Sequence, residues 1–401
     1  MRANPGGEIA PEDVVGRDRL IRQLWHTLER QSVILAAERR MGKSCVAKKM
    51  VAEKPYTAVV IYRDIENIDT PIGFVERIYQ DVTPHLSTLK RGQNRFQSLM
   101  QQLSGAQITG IGKFPDVVAR HWKALLEEML SDIAENYEGT VIFFWDEFPL
   151  MLQKIVQTSG ESEAMEILDT LRAARQTHNN VRMLYTGSIG LHHVTTSLRD
   201  SGHCNDATND MRTVEVDPLA AADARELALA LLKGEGLKSP QLATVAEVIA
   251  GITDGIAFYI HYVISEMKFL GDDASVELAK DIVAKVLVEP NDPWHLQHYR
   301  SRLNEYFDAS QLEIVLFILD EIAVENTALS LDMLRTRLAA NIEAMNGQAA
   351  HQIVSGDSEL FRRILLQLSR DHYLKQSEID GAFSYRFPVI RRWWMLSRGL
   401  I

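Results

Sequence analysis

The chain has 401 residues, 46% hydrophobic and 24% charged, a globular balance that excludes a disordered or fibrous polymer and suits two or three domains. Its 43 basic against 54 acidic side chains leave a formal net charge of -11, which argues against a mainly electrostatic nucleic-acid binder. Two cysteines, Cys45 and Cys204, cannot build a disulfide framework or a four-thiolate zinc site, and no apolar run reaches the roughly 18 residues of a membrane span.

Residues 1–13 read as a polar, flexible lead-in without the apolar run of a signal peptide, so a cytoplasmic protein with no membrane partner is expected. From Val15 to Arg30 the positions Leu20, Ile21, Leu24, Trp25 and Leu28 recur at helical spacing. Val33-Ile34-Leu35-Ala36-Ala37 is a short apolar run that enters a glycine-containing loop, the pattern of a buried strand. A helix from Lys43 to Glu53 precedes a second strand at Thr57–Tyr62. Helical periodicity returns at Phe74–Val82 and at Val118–Ile133, followed by a third strand at Thr140–Trp145. A helix at Glu163–Gln176 leads to a fourth strand, Val181–Thr186, and Arg212–Val216 makes a fifth. Strands alternating with helices predict an α/β core over 14–219, with a mostly parallel five-stranded sheet covered on both faces. The polar stretch Ser87–Phe114 reads as an insertion. Its Gly110-Ile111-Gly112-Lys113-Phe114 lacks the hydroxyl residue a phosphate loop carries after its lysine and is read as a decoy.

Beyond Asp217-Pro218-Leu219 helices take over. Ala221–Lys233, Ser239–Ile252 and Gly255–Leu270 predict a small helical domain over 220–289, closed by the turn formers Glu289-Pro290-Asn291-Asp292-Pro293. Helices at Gln311–Ala323, Ser330–Asn341 and Asp357–Arg370, then strands through Tyr373–Phe387, make residues 295–401 a winged-helix pattern.

The chemistry concentrates in two segments. Ala37-Glu38-Arg39-Arg40-Met41-Gly42-Lys43-Ser44 matches G-x-x-x-x-G-K-[ST] at every defined position but the first, and it lies between a predicted strand and a predicted helix. Such a loop aims backbone N–H groups at a β-phosphate, and the helix N-terminus adds a favourable dipole. Gly42 allows close backbone approach, Lys43 neutralises phosphate charge, and the Ser44 hydroxyl ligates Mg²⁺. Glu38, Arg39, Arg40, Met41 and Cys45 complete the loop as nucleotide contacts. Ala37 departs from the pattern, with consequences for loop geometry. Phe143-Phe144-Trp145-Asp146-Glu147 is an apolar strand ending in two carboxylates, expected beside the phosphate loop. Asp146 is then the second metal ligand, and Glu147 the general base for an attacking water. Thr186-Gly187-Ser188 ends the fourth strand with hydroxyls near a γ-phosphate; Ser188 or Thr186 is the candidate polar sensor, with Ser188 taken as catalytic.

With these residues the chain resembles the archaeal-type ATPase branch of the AAA+/STAND P-loop proteins. Val15-Gly16-Arg17-Asp18 is similar to the family's opening box near the adenine, which makes Gly16 and Arg17 nucleotide contacts. Arg39-Arg40-Met41-Gly42-Lys43-Ser44 resembles its double-arginine phosphate loop, and Tyr62-Arg63-Asp64-Ile65-Glu66 and Thr186-Gly187-Ser188 have its flavour. Thr253-Asp254-Gly255-Ile256-Ala257-Phe258-Tyr259 resembles its lid segment, with Ala257 in place of proline. Tyr385–Trp394 is similar to its winged-helix ending. The resemblance implies an ATP- and Mg²⁺-dependent switch in a regulatory or defence role, with a protein partner or self-association.

An arginine finger is not identifiable; Arg172, Arg175 and Arg199 read as solvated helix charges. A second reading is an ATP-dependent duplex-DNA binder of initiator or transposition-regulator type, using Arg362, Arg363 and Arg370 with Arg386, Arg391 and Arg392. Residues 301–401 carry 11 Lys and Arg against 13 Asp and Glu, so that segment is not basic. A third is a scaffold that binds nucleotide without hydrolysis. Trp393 and Trp394 are assigned to the core.

Overall fold

The structure, a computed structural model, describes residues 1–86, 95–104, 113–203, 205–325, 327–345 and 347–401. Cys204 and the glycines of the decoy loop, Gly110 and Gly112, lie outside these. The chain divides into two compact units, one of residues 9–217 and one of 1–8 with 218–401.

In the first unit the apolar runs become strands because only a doubly covered sheet can bury both of their faces. In chain order it comprises α1 (Asp18–Leu28), β1 (Val33–Ala36), α2 (Lys43–Ala52), β2 (Ala58–Asp64), α3 (Pro71–Leu86), α4 (Arg95–Ser104), α5 (Trp122–Asn136), β3 (Thr140–Asp146), α6 (Phe148–Ser159), α7 (Glu161–Thr177), β4 (Val181–Thr186), α8 (Leu191–Asp200) and β5 (Arg212–Glu215). All five strands are parallel, in the order β2-β3-β4-β1-β5. The acidic strand β3 is not a direct neighbour of β1. Strand β4 is inserted between them, and α2 and its loop reach across to the acid.

Alternation along β3 assigns its side chains to two layers. Phe143 and Trp145 face α3 and the helices beyond it: Trp145 meets Phe74 edge-on at 5.1 Å and stacks against Phe148 at 5.9 Å and Tyr185 at 5.8 Å. Phe144 faces the other layer, where Trp25 of α1 lies 6.3 Å away. Asp146 shares that second face with Phe144, and Tyr62 of β2, registered opposite Phe144, does too.

Besides α4, this unit holds two further helices that the sequence reading did not place. Helix α6 buries Phe148, Met151, Leu152 and Ile155, and α8 buries Leu191, Val194 and Leu198. Both are helical spacings, hidden because each begins immediately beside a strand-end motif. The expected helix at Val118–Ile133 is divided into a 3₁₀ turn, Asp116–His121, and α5. Asp132 of α5 is buried and accepts the N–H groups of Arg95 and Phe96 at 3.1 and 2.9 Å, capping α4 inside the predicted insertion.

The second unit continues with α9 (Ala221–Gly234), α10 (Leu242–Ile252), α11 (Ala257–Leu270), α12 (Val276–Val286), α13 (His298–Tyr306), α14 (Ala309–Val324), α15 (Leu331–Ala340), α16 (Gln348–Ser355), α17 (Ser358–Arg370), β6 (Leu374–Gln376), β7 (Phe383–Tyr385) and α18 (Pro388–Arg398). Four helix starts carry side-chain caps: Ser275, Asp308, Ser330 and Asp357 each accept a backbone N–H of the following turn. β6 and β7 form an antiparallel pair, and Leu329 bridges to Phe383. Trp393 and Trp394 are buried, with Trp394 Nε1 donating to Asp320 at 2.8 Å. Residues 1–8 pack on this unit: the Ala3 N–H donates to Glu235 at 2.7 Å and the Asn4 N–H to His261 Nδ1 at 3.1 Å. Among the described residues no helix is long and apolar enough to cross a membrane.

Candidate functional site

Strand β1 ends at Ala36, the loop 37–42 follows, and α2 begins at Lys43. Gly42 holds φ +87°, a left-handed conformation that disfavours any side chain; a Cβ there would touch only Cys45 Cβ at 3.9 Å, so backbone strain and not crowding demands glycine. Arg40 also holds a positive φ, 70°, whereas Ala37 does not, so the loop makes no left-handed demand at the position where the motif departs from glycine.

The Lys43 ammonium is folded into the loop and donates to the carbonyls of Ala37 at 2.8 Å and Glu38 at 3.2 Å. Burial lowers its pKa, an effect opposed by the charges of Glu38, Glu147 and Asp146 and reinforced by Arg39. The loop thus concentrates a desolvated cation at the start of a helix, where backbone N–H groups also point outward. Glu38 is buried and its Oε1 accepts the Arg39 N–H at 2.7 Å, while the Arg39 side chain is exposed. Met41 is buried and Cys45 half-buried.

Asp146 closes the site from β3. Its Oδ2 accepts the Ser44 hydroxyl at 2.6 Å and the Tyr62 hydroxyl at 2.9 Å, and its Oδ1 accepts the Glu147 N–H at 3.1 Å. Asp146 is 4% exposed while Ser44 is exposed, so the carboxylate is anchored from within the fold and the hydroxyl faces outward. Glu147 sits at the N-cap of α6 with φ 58°, a left-handed backbone that turns its side chain away from the direction the strand would give it. Its Oε2 accepts both the N–H of Ser188 at 2.9 Å and the Ser188 hydroxyl at 2.8 Å. Gly187 admits this approach, because a Cβ there would lie 2.6 Å from Pro149 Cδ. Thr186, at the end of β4, is 3% exposed and its Oγ1 has no hydrogen-bond partner, an orphaned donor beside the ends of β1 and β3.

Lys43, Ser44, Asp146, Glu147 and Ser188 are thus brought to the C-terminal edge of the sheet. Gly16, with φ 69°, precedes Arg17, which is buried and donates to the carbonyls of Asp217 at 2.7 Å and Met41 at 3.0 Å. Arg17 braces the phosphate loop, a contact the resemblance had not suggested. Arg175 is no solvated charge: it is buried and holds Asp210 through two bonds at 2.8 Å, with further donations to the Tyr185 hydroxyl and the Ala207 carbonyl. Tyr62 was met in the sequence only as part of a strand exit. Its place against Asp146 follows from the β2–β3 register, which no local pattern carries.

The residues fit a magnesium nucleotide: a hydroxyl and a carboxylate share a proton where a cation would be ligated, a buried ammonium lies in the loop, and an unpartnered hydroxyl ends β4. No protein-family model and no curated protein sequence matches the chain. Among solved structures the chain is similar to the Walker-type ATPase of Pyrococcus abyssi, at 18% identity and a TM-score of 0.61, with 98% of this chain and 99% of that one covered. It is also similar to the ORC2 protein of Aeropyrum pernix in its ADPNP–ADP complexes, at 14% identity and a TM-score of 0.50, with 95% and 93% covered. At these identities the likeness is one of fold, and the chain has the α/β P-loop ATPase fold of these structures along nearly its whole length.

Proposed function

We propose that this chain is a Mg²⁺-dependent ATPase that works as a slow nucleotide switch. The observation that carries the reading is the 2.6 Å bond from Ser44 of α2 to Asp146 of β3, made beside the buried Lys43 ammonium. Magnesium ATP supplies the electrophilic phosphorus and its leaving group. The loop 37–42 and the N–H groups opening α2 bind the phosphates, and Lys43 neutralises their charge. Ser44 and Asp146 hold the cation. Glu147 accepts the proton of the attacking water, and Ser188 fixes the rotamer of that base through its two bonds to Oε2. In this reading 14–219 is the ATPase core, 220–289 a lid and 295–401 a winged-helix domain, and nucleotide state sets their arrangement. A regulatory or defence role in the cytoplasm, with a protein partner or self-association, accords with a switch of this kind.

The test is phosphate release from ATP with Mg²⁺. Glu147→Gln is expected to keep nucleotide affinity within about twofold and to lower turnover by at least 10²-fold, the scale of losing a general base. Lys43→Ala should remove measurable nucleotide binding. Wild-type turnover in Glu147→Gln, or unchanged affinity in Lys43→Ala, would refute the site.

One observation favours a second reading. Arg362, Arg363 and Arg370 all stand exposed on α17, the helix that precedes the β6–β7 hairpin, as phosphate contacts on duplex DNA require.

A further inference from the structure

Asp146 is a buried carboxylate, and a buried carboxylate without fixed donors would rotate about its χ2 torsion or take up a proton. Here each oxygen is engaged by a group from the sheet: Oδ1 by the N–H of Glu147 and Oδ2 by the Tyr62 hydroxyl. The third donor, the Ser44 hydroxyl, belongs to α2, is exposed, and also reaches Oδ2. Tyr62 is placed by register. Tyr62 is paired with Phe144 and Asp64 with Asp146, so strict alternation sends Tyr62 and Asp146 to the same face of neighbouring strands, two residues out of step, a diagonal separation that only a long side chain spans. Tyr62 is half-buried, and its hydroxyl donates to Asp146 Oδ2 at 2.9 Å.

We infer that Tyr62 is a positioning residue for the cation site, its hydroxyl holding the Asp146 carboxylate in the orientation from which it and Ser44 bind Mg²⁺ with nucleotide. The inference rests on the ATPase reading above and adds to it a residue that touches neither nucleotide nor metal. When Ser44 turns its oxygen towards a cation, the Oδ2 bond from Tyr62 is the one that persists, because it comes from the sheet and not from the loop. A second oxygen fixed by Glu147 makes the plane of the carboxylate a property of β2 and β3 alone.

The test is equilibrium binding of a fluorescent, non-hydrolysable ATP analogue, titrated with Mg²⁺ and repeated in EDTA, for wild type, Tyr62→Phe and Tyr62→Leu. The phenylalanine variant retains the ring and its packing and loses only the donor. Its half-saturating Mg²⁺ is expected to rise on the order of tenfold, the loss of one hydrogen bond to a charged group, with affinity in EDTA and the melting temperature near wild type. Combining Tyr62→Phe with Asp146→Asn should add nothing to the Mg²⁺ defect of Asp146→Asn, since the two act through one carboxylate. A purely structural tyrosine would lower the melting temperature in Tyr62→Leu and leave the Mg²⁺ midpoint unmoved in Tyr62→Phe; that result overturns the inference while the nucleotide site stands. A wild type that binds the analogue without regard to Mg²⁺ overturns it too. A wild type that binds no analogue at all removes the ATPase reading and this inference together.

Discussion

Asp254 shows how much a single buried carboxyl can cost. It holds φ 51° in the turn between α10 and α11, and its Oδ2 accepts the Val389 N–H at 2.7 Å in the first turn of α18, where helix donors have no intrahelical partner. Burial lifts its pKa from 3.8 to about 6, against the Val389 N–H and the Lys375 charge, both of which pull it down. A folded pKa above the unfolded one means that the native state binds more protons between about pH 4 and 6. Stability contributed by the protonated form is therefore present at low pH and lost as pH rises through about 6, where burying the ionised carboxylate costs on the order of 2–3 kcal/mol. Asn keeps the acceptor and tolerates the left-handed backbone without carrying a charge. Asp254→Asn should raise the unfolding free energy by about 1–2 kcal/mol near pH 7.5 and flatten its slope between about pH 4 and 6. Urea unfolding at the two ends of that window checks it; a variant less stable than wild type at the higher pH would contradict the cost assigned to the charge.

Among the elements, α7, β4 and the segment before β5 are joined by one buried guanidinium. Arg175 of α7 binds Asp210 bidentately, the Tyr185 hydroxyl of β4 and the Ala207 carbonyl; burial, with the Asp210 charge, pushes Tyr185 up to about 12 against the opposing pull of Arg175. Removing one partner of such a group leaves the other desolvated and unpaired, which costs about 3–5 kcal/mol. Arg175→Ala should destabilise residues 9–217 by that amount, seen as an earlier denaturation midpoint. Turnover per folded molecule should stay within about twofold at low temperature, as for a group that reaches no substrate. Turnover lost with stability intact would instead make Arg175 an arginine finger. The helix periodicities of α1 and α3 were legible because each has a single apolar stripe. Helices α6 and α8 were not, because their apolar stripes begin directly after the strand-end motifs at Glu147 and Ser188. The 3₁₀ turn at Asp116–His121 was illegible for another reason: hydrophobic spacing cannot distinguish a tight turn from the first turn of the α-helix it leads into.

At the scale of the molecule, the two proposed readings belong to different units, the nucleotide site to the first. The duplex-DNA reading belongs to the second. Arg362→Glu with Arg363→Glu is expected to weaken duplex binding at least tenfold and to flatten its salt dependence, because phosphate contacts release counterions. Fluorescence anisotropy at two salt concentrations decides it. Identical isotherms for variant and wild type would leave α17 as a surface for a protein partner, in keeping with a segment whose charge is not basic overall.

The sequence by itself determined the strands and the composition of the phosphate loop, because hydrophobic period, turn chemistry and the glycine requirement at Gly42 are all local. It also singled out Lys43, Ser44, Asp146, Glu147 and Ser188, which the fold gathers because strand ends in a parallel sheet share one edge. What only the tertiary structure decided is which strands are neighbours. The insertion of β4 between β1 and β3 gives Glu147 a hydroxyl partner from the neighbouring strand's exit, and the β2–β3 register brings Tyr62 onto Asp146. The bracing of Met41 by Arg17 and the burial of Arg175 are of the same kind. Strand order and register are set by how whole layers of side chains pack, a sum over many residues far apart in the chain, so no short window of sequence contains them.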